Sequence, residues 1–94
     1  MTAAFPALLP GAEPYFQRGS GRAGVLLLHG FSAAPAEVRW LGEHLAEEGF
    51  TAYAPRLPGH GADYRDISRM RWRDWVLAAM DGYHLLAQQC EKVV

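Results

Sequence analysis

The hydrophobic pattern is strongest at residues 25–28, where Val-Leu-Leu-Leu runs without interruption into His29 and Gly30. Such an apolar run is typical of a strand that is buried on both faces of a parallel sheet, and it predicts a strand over 25–29. Gly30 has no Cβ, so we expect the backbone to turn sharply after this strand. Ligands bind at the carboxyl ends of such strands, and free backbone N–H groups there suit a developing negative charge.

Two longer segments carry apolar residues at helical spacing. Residues 32–49 combine an apolar stripe with charged residues at the other positions, as an amphipathic helix does. Ser32 is a possible N-cap, Pro35 suits the first turn, and Gly49 suits a left-handed end. A second helix is predicted over about 70–90. The stripes consist of Val38, Leu41, Leu45 and Ala46 in the first helix, and Trp72, Trp75, Val76, Ala79, Tyr83, Leu86 and Ala87 in the second.

Shorter segments predict further strands. Residues 15–18 suit a short edge strand, residues 50–55 are bounded by glycine and proline, and a third apolar segment begins at Lys92. Residues 1–14 are rich in alanine and proline and are expected to be a surface lead-in, whereas residues 56–66 are expected to be a loop. The order strand, helix, strand, helix, strand start predicts an α/β fold with a parallel sheet.

Composition narrows the class of protein. A chain of 94 residues holds at most one small domain, of which residues 15–94 are the organised part. The net charge of −1 gives no electrostatic case for binding nucleic acid or an anionic membrane. Cys90 is the single cysteine, which excludes an internal disulfide and favours a reducing, cytoplasmic compartment. No apolar run approaches the roughly 18 residues of a membrane span, and no basic segment introduces a signal peptide.

The last predicted strand has only three residues, Lys92 to Val94. A strand this short cannot pair along its length, and a helix-to-strand junction is an unusual place for a domain to end. We therefore expect the chain to be the front portion of a longer α/β unit.

Three segments resemble the α/β-hydrolase superfamily, and within it the bacterial carboxylesterases and monoacylglycerol lipases. The first is the strand that runs into His-Gly-Phe-Ser at residues 29–32. The second is Pro-Arg-Leu-Pro-Gly-His-Gly at residues 55–61, which is similar to the family's Pro-x-x-x-Gly-His-Gly loop. The third is the helix around Arg-Asp-Trp at residues 73–75, followed by the strand that begins at Lys92. Ser32 stands where epoxide hydrolases and dehalogenases usually carry proline, which favours ester chemistry.

This resemblance implies that residues 1–94 are the N-terminal portion of a parallel-sheet α/β-hydrolase domain, truncated before the nucleophile elbow. In such enzymes the residue after His-Gly donates its backbone N–H to the oxyanion hole, and here that residue is Phe31. Gly30, Phe31 and Ser32 are then expected to contact the substrate. The nucleophilic serine of a Gly-x-Ser-x-Gly turn, the acid and the histidine follow later in such enzymes. Because all three lie beyond this sequence, we expect the chain to be inactive alone.

Each candidate residue also has a structural interpretation. The Phe31 ring can pack in the core while its N–H serves chemistry. His29 and His60 are expected to brace neighbouring loops, because an imidazole offers both a donor and an acceptor. Trp72 and Trp75 at helical spacing are more often core or boundary residues than a ligand platform.

Other polar residues give weaker signals. The spacing of the four histidines matches no zinc pattern, and His44 and His84 are expected to be ordinary surface or boundary residues. None of the serines at 20, 32 and 68 has the strand–serine–helix placement of a nucleophile elbow. We therefore expect no metal, no organic cofactor and no complete triad within these residues.

The sequence accordingly predicts the N-terminal part of a serine hydrolase that cleaves small carboxylic esters, of carboxylesterase or monoacylglycerol lipase type. The expected partner is the remainder of the hydrolase domain. Two alternatives stay open at this point: a non-catalytic truncated fragment, and a small binding protein with a partial hydrolase fold.

Overall fold

The computed structural model describes residues 7–94, which form two helices, a 3₁₀ helix and four strands. In chain order these elements are β1 Tyr15–Gln17, β2 Ala23–Leu26, α1 Ala36–Glu47, β3 Thr51–Ala54, the 3₁₀ helix Tyr64–Arg69, α2 Trp72–Ala87 and β4 Lys92–Val93.

The strands of the described residues form one mixed sheet in the order β1-β3-β2-β4. β2 is parallel to β3 and to β4, whereas β1 is antiparallel to β3. The prediction of an α/β fold is confirmed, and the parallel arrangement holds for both pairings made by β2, with β3 and with β4. The edge strand near residues 15–18 is also present, but it runs in the opposite direction.

Helix α1 covers one face of the sheet and closes the main core. This core contains Tyr15, Leu27, Ala52 and Ala54, and the partly buried Val25, Val38 and Leu45 pack against it. The closest approach is at Gly42, where an added Cβ would lie 2.6 Å from the Tyr15 ring. The buried face of α1 therefore centres on Gly42, while Leu41 of the predicted stripe is exposed.

Helix α2 lies over the opposite face. Side chains alternate across a strand, so Leu26 and Tyr53 point away from the α1 side. An added Cβ at Gly82 would lie 2.7 Å from Leu26 Cδ1 and 3.3 Å from the Tyr53 ring. Leu86 is fully buried on this face and approaches Gly24.

Several predicted boundaries are wrong by a few residues. β2 begins at Ala23 and ends at Leu26, earlier than the predicted 25–29, although the Leu27 N–H still donates to the Tyr53 carbonyl at 2.8 Å. Leu28 is exposed, so burial on both faces fails at the end of the run. Ser32 is not the cap of α1, because Pro35 holds the N-cap position and no side chain bonds there.

The chain on either side of these elements also departs from expectation. Gly49 has a φ of +103°, as predicted for the residue that follows a helix. The predicted loop 56–66 passes into the 3₁₀ helix at Tyr64. The first six residues of the predicted lead-in lie outside the described residues. Within its remainder, Ala12 is buried and the Leu9 N–H donates to the Gly61 carbonyl at 2.7 Å, so this part contacts the loop 55–61.

Candidate functional site

The candidate site is the turn at residues 29–32, which follows β2 at the carboxyl end of the parallel strands. The residue with unusual backbone geometry in this turn is Ser32, whose φ is +64°. From the sequence we expected Gly30 to provide the sharp turn. Gly30 is not among the described residues of positive φ. A non-glycine residue in the left-handed region costs about 1–2 kcal/mol, so the turn must be held by its surroundings.

Three successive backbone N–H groups of this turn have different environments. The Gly30 N–H donates to Glu37 Oε1 at 2.8 Å. The Ser32 N–H donates to His60 Nε2 at 3.0 Å. Between them, the Phe31 N–H has no acceptor among residues 7–94. The turn therefore leaves a single N–H unpaired between two that are held by side chains.

His29 fastens the turn to the loop that follows β3. Its side chain is only 4% exposed. Nε2 accepts a hydrogen bond from the Leu57 N–H at 3.1 Å, and Nδ1 lies 2.9 Å from the Gly30 carbonyl oxygen. Since a carbonyl only accepts, Nδ1 carries the proton. Both ring nitrogens are thus engaged with backbone, which is the bracing arrangement expected from the sequence and leaves none free to act as a base.

His60 holds the turn from the other side. It is 1% exposed, and its Nδ1 donates to the Pro58 carbonyl at 3.1 Å while Nε2 accepts from Ser32. The flanking Gly59 and Gly61 have φ values of +81° and +79°, a region where glycine has no steric penalty. The Gly-His-Gly sequence therefore places an imidazole on the turn through two left-handed glycines.

The side chain of Phe31 belongs to an aromatic cluster with His60 and Trp75. The Phe31 ring makes edge contacts with the rings of His60 and Trp75, at centroid distances of 5.9 and 5.7 Å. Trp75 is itself fixed, because its Nε1–H donates to the Pro58 carbonyl at 2.9 Å. The Phe31 ring is nevertheless 68% exposed, so it forms an apolar surface next to the turn and not a part of the core.

No serine hydroxyl pairs with a histidine in the part of the chain that the structure describes. The Ser68 hydroxyl donates to the Arg65 carbonyl at 2.7 Å, and the rings of His29 and His60 are bonded to other partners. Among residues 7–94 there is also no group of three His, Cys, Asp or Glu side chains placed to hold a metal ion. No helix within this range is long and apolar enough to cross a membrane.

Two contributors to the site were missed by the sequence analysis. Glu37 was counted only among the charged residues opposite the apolar stripe of α1, yet it bonds the turn. A carboxylate in the first helical turn after a glycine turn is the signal that could have pointed to it. Trp75 was grouped with Trp72 as a core or boundary residue. The structure separates them, because Trp72 is 64% exposed while Trp75 reaches the aromatic cluster.

Comparison with known proteins places these features in a family context. The chain is 43% identical over 86 residues to a thermostable monoacylglycerol lipase from Bacillus sp. (strain H-257), a match that covers 92% of this chain and 34% of the lipase. It is 40% identical over 77 residues to a carboxylesterase from Bacillus subtilis (strain 168), covering 82% of this chain and 31% of the esterase. No protein-family model matches the chain.

A solved structure gives the same result for the fold. The structure, described under "LipS and LipT, two metagenome-derived lipolytic enzymes", superposes with a TM-score of 0.86 at 34% sequence identity. That match covers 93% of this chain and 35% of the other. The chain spans about a third of the length of the curated relatives it matches. The resemblance to α/β-hydrolases of the carboxylesterase and monoacylglycerol lipase kind, over the N-terminal portion of that fold, is therefore confirmed.

Proposed function

We propose that this chain is the N-terminal part of a serine hydrolase that cleaves carboxylic esters, and that the Phe31 N–H is one donor of its oxyanion hole. One observation carries the proposal: Phe31 has no acceptor among residues 7–94, whereas the N–H groups before and after it are both held. Positioned donors that meet charge as it develops are a major source of catalysis in acyl transfer.

In this proposal the hydroxyl of a serine outside these residues attacks the ester carbonyl carbon and loses its proton to a histidine. The C=O bond opens to a tetrahedral oxyanion, which accepts hydrogen bonds from Phe31 and from a second N–H next to the nucleophile. Collapse of this intermediate expels the alcohol, which takes the proton from the histidine, and water then releases the acid. Gly30, Phe31 and Ser32 line the substrate, and the exposed Phe31 ring offers apolar contact to the acyl or alcohol group.

The partner in this proposal is the remainder of the hydrolase domain, which makes residues 1–94 one portion of a single domain. One face of α2 exposes large apolar side chains, which are those of Trp72, Val76, Met80 and Tyr83. In residues 7–94, β4 pairs with β2 on one side and has no strand on the other. An apolar helix face beside an open strand edge fits a further strand and helix of the same sheet. The matched relatives have about three times the length of this chain, which is enough polypeptide to supply them.

Neither a metal nor an organic cofactor has a step in this mechanism. The cytoplasmic location stays a prediction that depends on the single cysteine, Cys90.

The proposal is tested in a chimera in which this chain replaces the matched 86-residue segment of the Bacillus sp. lipase. We expect the chimera to hydrolyse p-nitrophenyl acetate. Replacing Phe31 by L-phenyllactate turns the N–H into an ester oxygen and keeps the ring. Loss of one oxyanion donor of this kind typically lowers kcat by about 10²–10³.

Two controls separate the N–H from its surroundings. Phe31→Leu keeps the N–H and changes the ring, and we expect it to keep kcat within about tenfold, since side-chain packing is a smaller term than the lost donor. L-Lactate at position 36 removes the Ala36 N–H, which donates to the Gly11 carbonyl at 3.0 Å, and leaves the peptide between Gly30 and Phe31 with all its bonds, so it should not lower kcat in this way. A chimera with phenyllactate at position 31 and undiminished kcat would contradict the proposed role.

An assay of the 94-residue chain alone tests whether a nucleophile lies within these residues. We expect no acyl-enzyme burst with p-nitrophenyl acetate, because no serine hydroxyl is hydrogen-bonded to a histidine in the described residues. Turnover by the isolated chain that disappears on substitution of one serine would show a nucleophile within it and overturn this division of the active site.

A further inference from the structure

The turn is held by a residue that comes from a different element, Glu37 in the first turn of α1. Its Oε1 accepts the Gly30 N–H at 2.8 Å. The two carboxylate oxygens would lie 3.4 and 3.8 Å from a Cβ built on Gly30, so the carboxylate lies within van der Waals contact of this position without filling it. The helix and the turn are thereby joined through one side chain.

We propose that Glu37 is a positioning residue of the oxyanion hole, an inference that rests on the proposed function. The peptide group between Gly30 and Phe31 is planar and trans, so its carbonyl and its N–H point in opposite directions. The Gly30 carbonyl accepts from His29 Nδ1 at 2.9 Å and from the Ala33 N–H at 3.0 Å. Fixing the carbonyl on one side therefore aims the Phe31 N–H toward the other.

Gly30 is the weak point of this arrangement. A glycine rotates more freely about its backbone bonds than any other residue, and rotation there would turn the peptide plane and its N–H. The bond from the Gly30 N–H to Glu37 restrains the chain just before that plane, and His60 restrains it just after, at Ser32. Together these two side chains confine the orientation of the Phe31 N–H.

The benefit of Glu37 must come from its oxygen as an acceptor and not from its charge. The Glu37 carboxylate is bound to Gly30, the residue before Phe31, and its negative charge would repel an oxyanion held there. It can therefore help catalysis only by holding the geometry of the turn. Glutamine has the same reach and keeps an oxygen acceptor without the charge. Glu37→Gln and Glu37→Ala therefore separate the two contributions.

The experiment uses the chimera described above. For Glu37→Ala we expect kcat to fall about tenfold with KM within about twofold, since a misdirected donor affects the transition state more than the bound ester. For Glu37→Gln we expect kcat at or above that of the unmodified chimera. The affinity for a trifluoromethyl ketone, which forms a tetrahedral oxyanion adduct with the serine, should fall in parallel with kcat. Glu47→Ala, an exposed acidic residue in the last turn of the same helix, is the matched control and should change none of these quantities.

Three results overturn the inference: an unchanged kcat in Glu37→Ala, an equal loss in Glu37→Gln, or a parallel rise in KM that accounts for the lower kcat/KM. If Glu37→Ala does not fold, glycolate at position 30 removes the Gly30 N–H and leaves Glu37 in place, and the same drop in kcat is expected. Unchanged kcat in that variant likewise overturns the inference. Failure of the proposed function is recognised separately, because phenyllactate at position 31 would then leave kcat intact whatever Glu37 does.

Discussion

The turn at residues 29–32 and the loop at residues 57–61 contact each other, yet they are held in different ways. The loop depends on steric freedom, because Gly59 and Gly61 both have φ near +80°. The turn depends on hydrogen bonds from side chains, and its only left-handed residue in the structure is a serine, Ser32. Glycine is therefore a conformational requirement in the loop and an accessory to a hydrogen bond in the turn.

This difference shows that glycine is needed for different physical reasons in two motifs that contact each other. At Gly59 an added Cβ would lie 2.6 Å from Met70 Cγ and 3.0 Å from the Asp66 carbonyl oxygen. At Gly30 the nearest described atom would be Glu37 Oε1 at 3.4 Å. The loop has no space and no permitted φ for a side chain, whereas the turn has both.

The largest expected effect comes from testing this contrast directly. Gly59→Ala combines a left-handed alanine with a clash against the Met70 side chain and tight contacts with the backbone of Asp66 and Ile67, and we expect the free energy of unfolding to fall by about 3 kcal/mol. Gly30→Ala is expected to lower it by less than about 1 kcal/mol, because neither cost applies. Urea unfolding of the chain, followed by tryptophan fluorescence, measures both.

A third glycine supplies the control for this pair. Gly49 has a φ of +103° but would place a Cβ no closer than 3.7 Å to any neighbour. Gly49→Ala should therefore cost only the conformational part, about 1 kcal/mol. Equal losses at positions 30 and 59 would show that the turn is as sterically fixed as the loop and would remove the distinction.

A smaller effect is expected from the two histidines that join the regions. His29→Ala leaves the N–H of the buried Leu57 without its acceptor, which should cost about 2 kcal/mol. His60→Ala frees the Ser32 N–H, which lies in an exposed turn and can bond to water, so we expect a cost of about 1 kcal/mol beyond the lost packing. Thermal unfolding of the two variants shows which one loses more stability. A larger loss in His60→Ala would show that the contact between the turn and the loop depends more on the bond to Ser32 than on the bond to Leu57.

Most of the fold was open to prediction because it follows from local patterns. Apolar periodicity located both helices and the strand sequence, and Gly49 and Pro55 bounded β3 as such residues do. The ends of β2 and α1 were not predictable in this way. They depend on tertiary bonds, such as that of Leu27 to Tyr53, and on the left-handed Ser32, for which serine is not a typical residue.

The site was only partly predictable for a related reason. Phe31 followed from a motif, and the bracing by His29 and His60 followed from imidazole chemistry. The roles of Glu37 and Trp75 depend on where α1 and α2 sit over the sheet, and spacing along one chain segment carries no information on that placement. The sequence also showed no reason for the Phe31 ring to be exposed.

The smallest expected effect concerns the residue that carries the loop into the 3₁₀ helix, Asp63. Its side chain accepts from the Arg65 guanidinium and from the Arg65 N–H, which together lower the pKa of this carboxyl from 3.8 to about 2. A depressed pKa means that the ionised form is favoured by folding, so its contribution is complete above about pH 4 and disappears as the pH falls toward 2. Asp63→Asn should therefore melt slightly below the unmodified chain at neutral pH and converge with it between pH 4 and pH 2. The 3₁₀ helix lies close to Gly59 at Asp66 and Ile67. In a Gly59→Ala chain that has lost this contact, Asp63→Asn should therefore no longer change the melting temperature. A response that persists in the Gly59→Ala background would show that the cap of the 3₁₀ helix is independent of the steric fit of the loop.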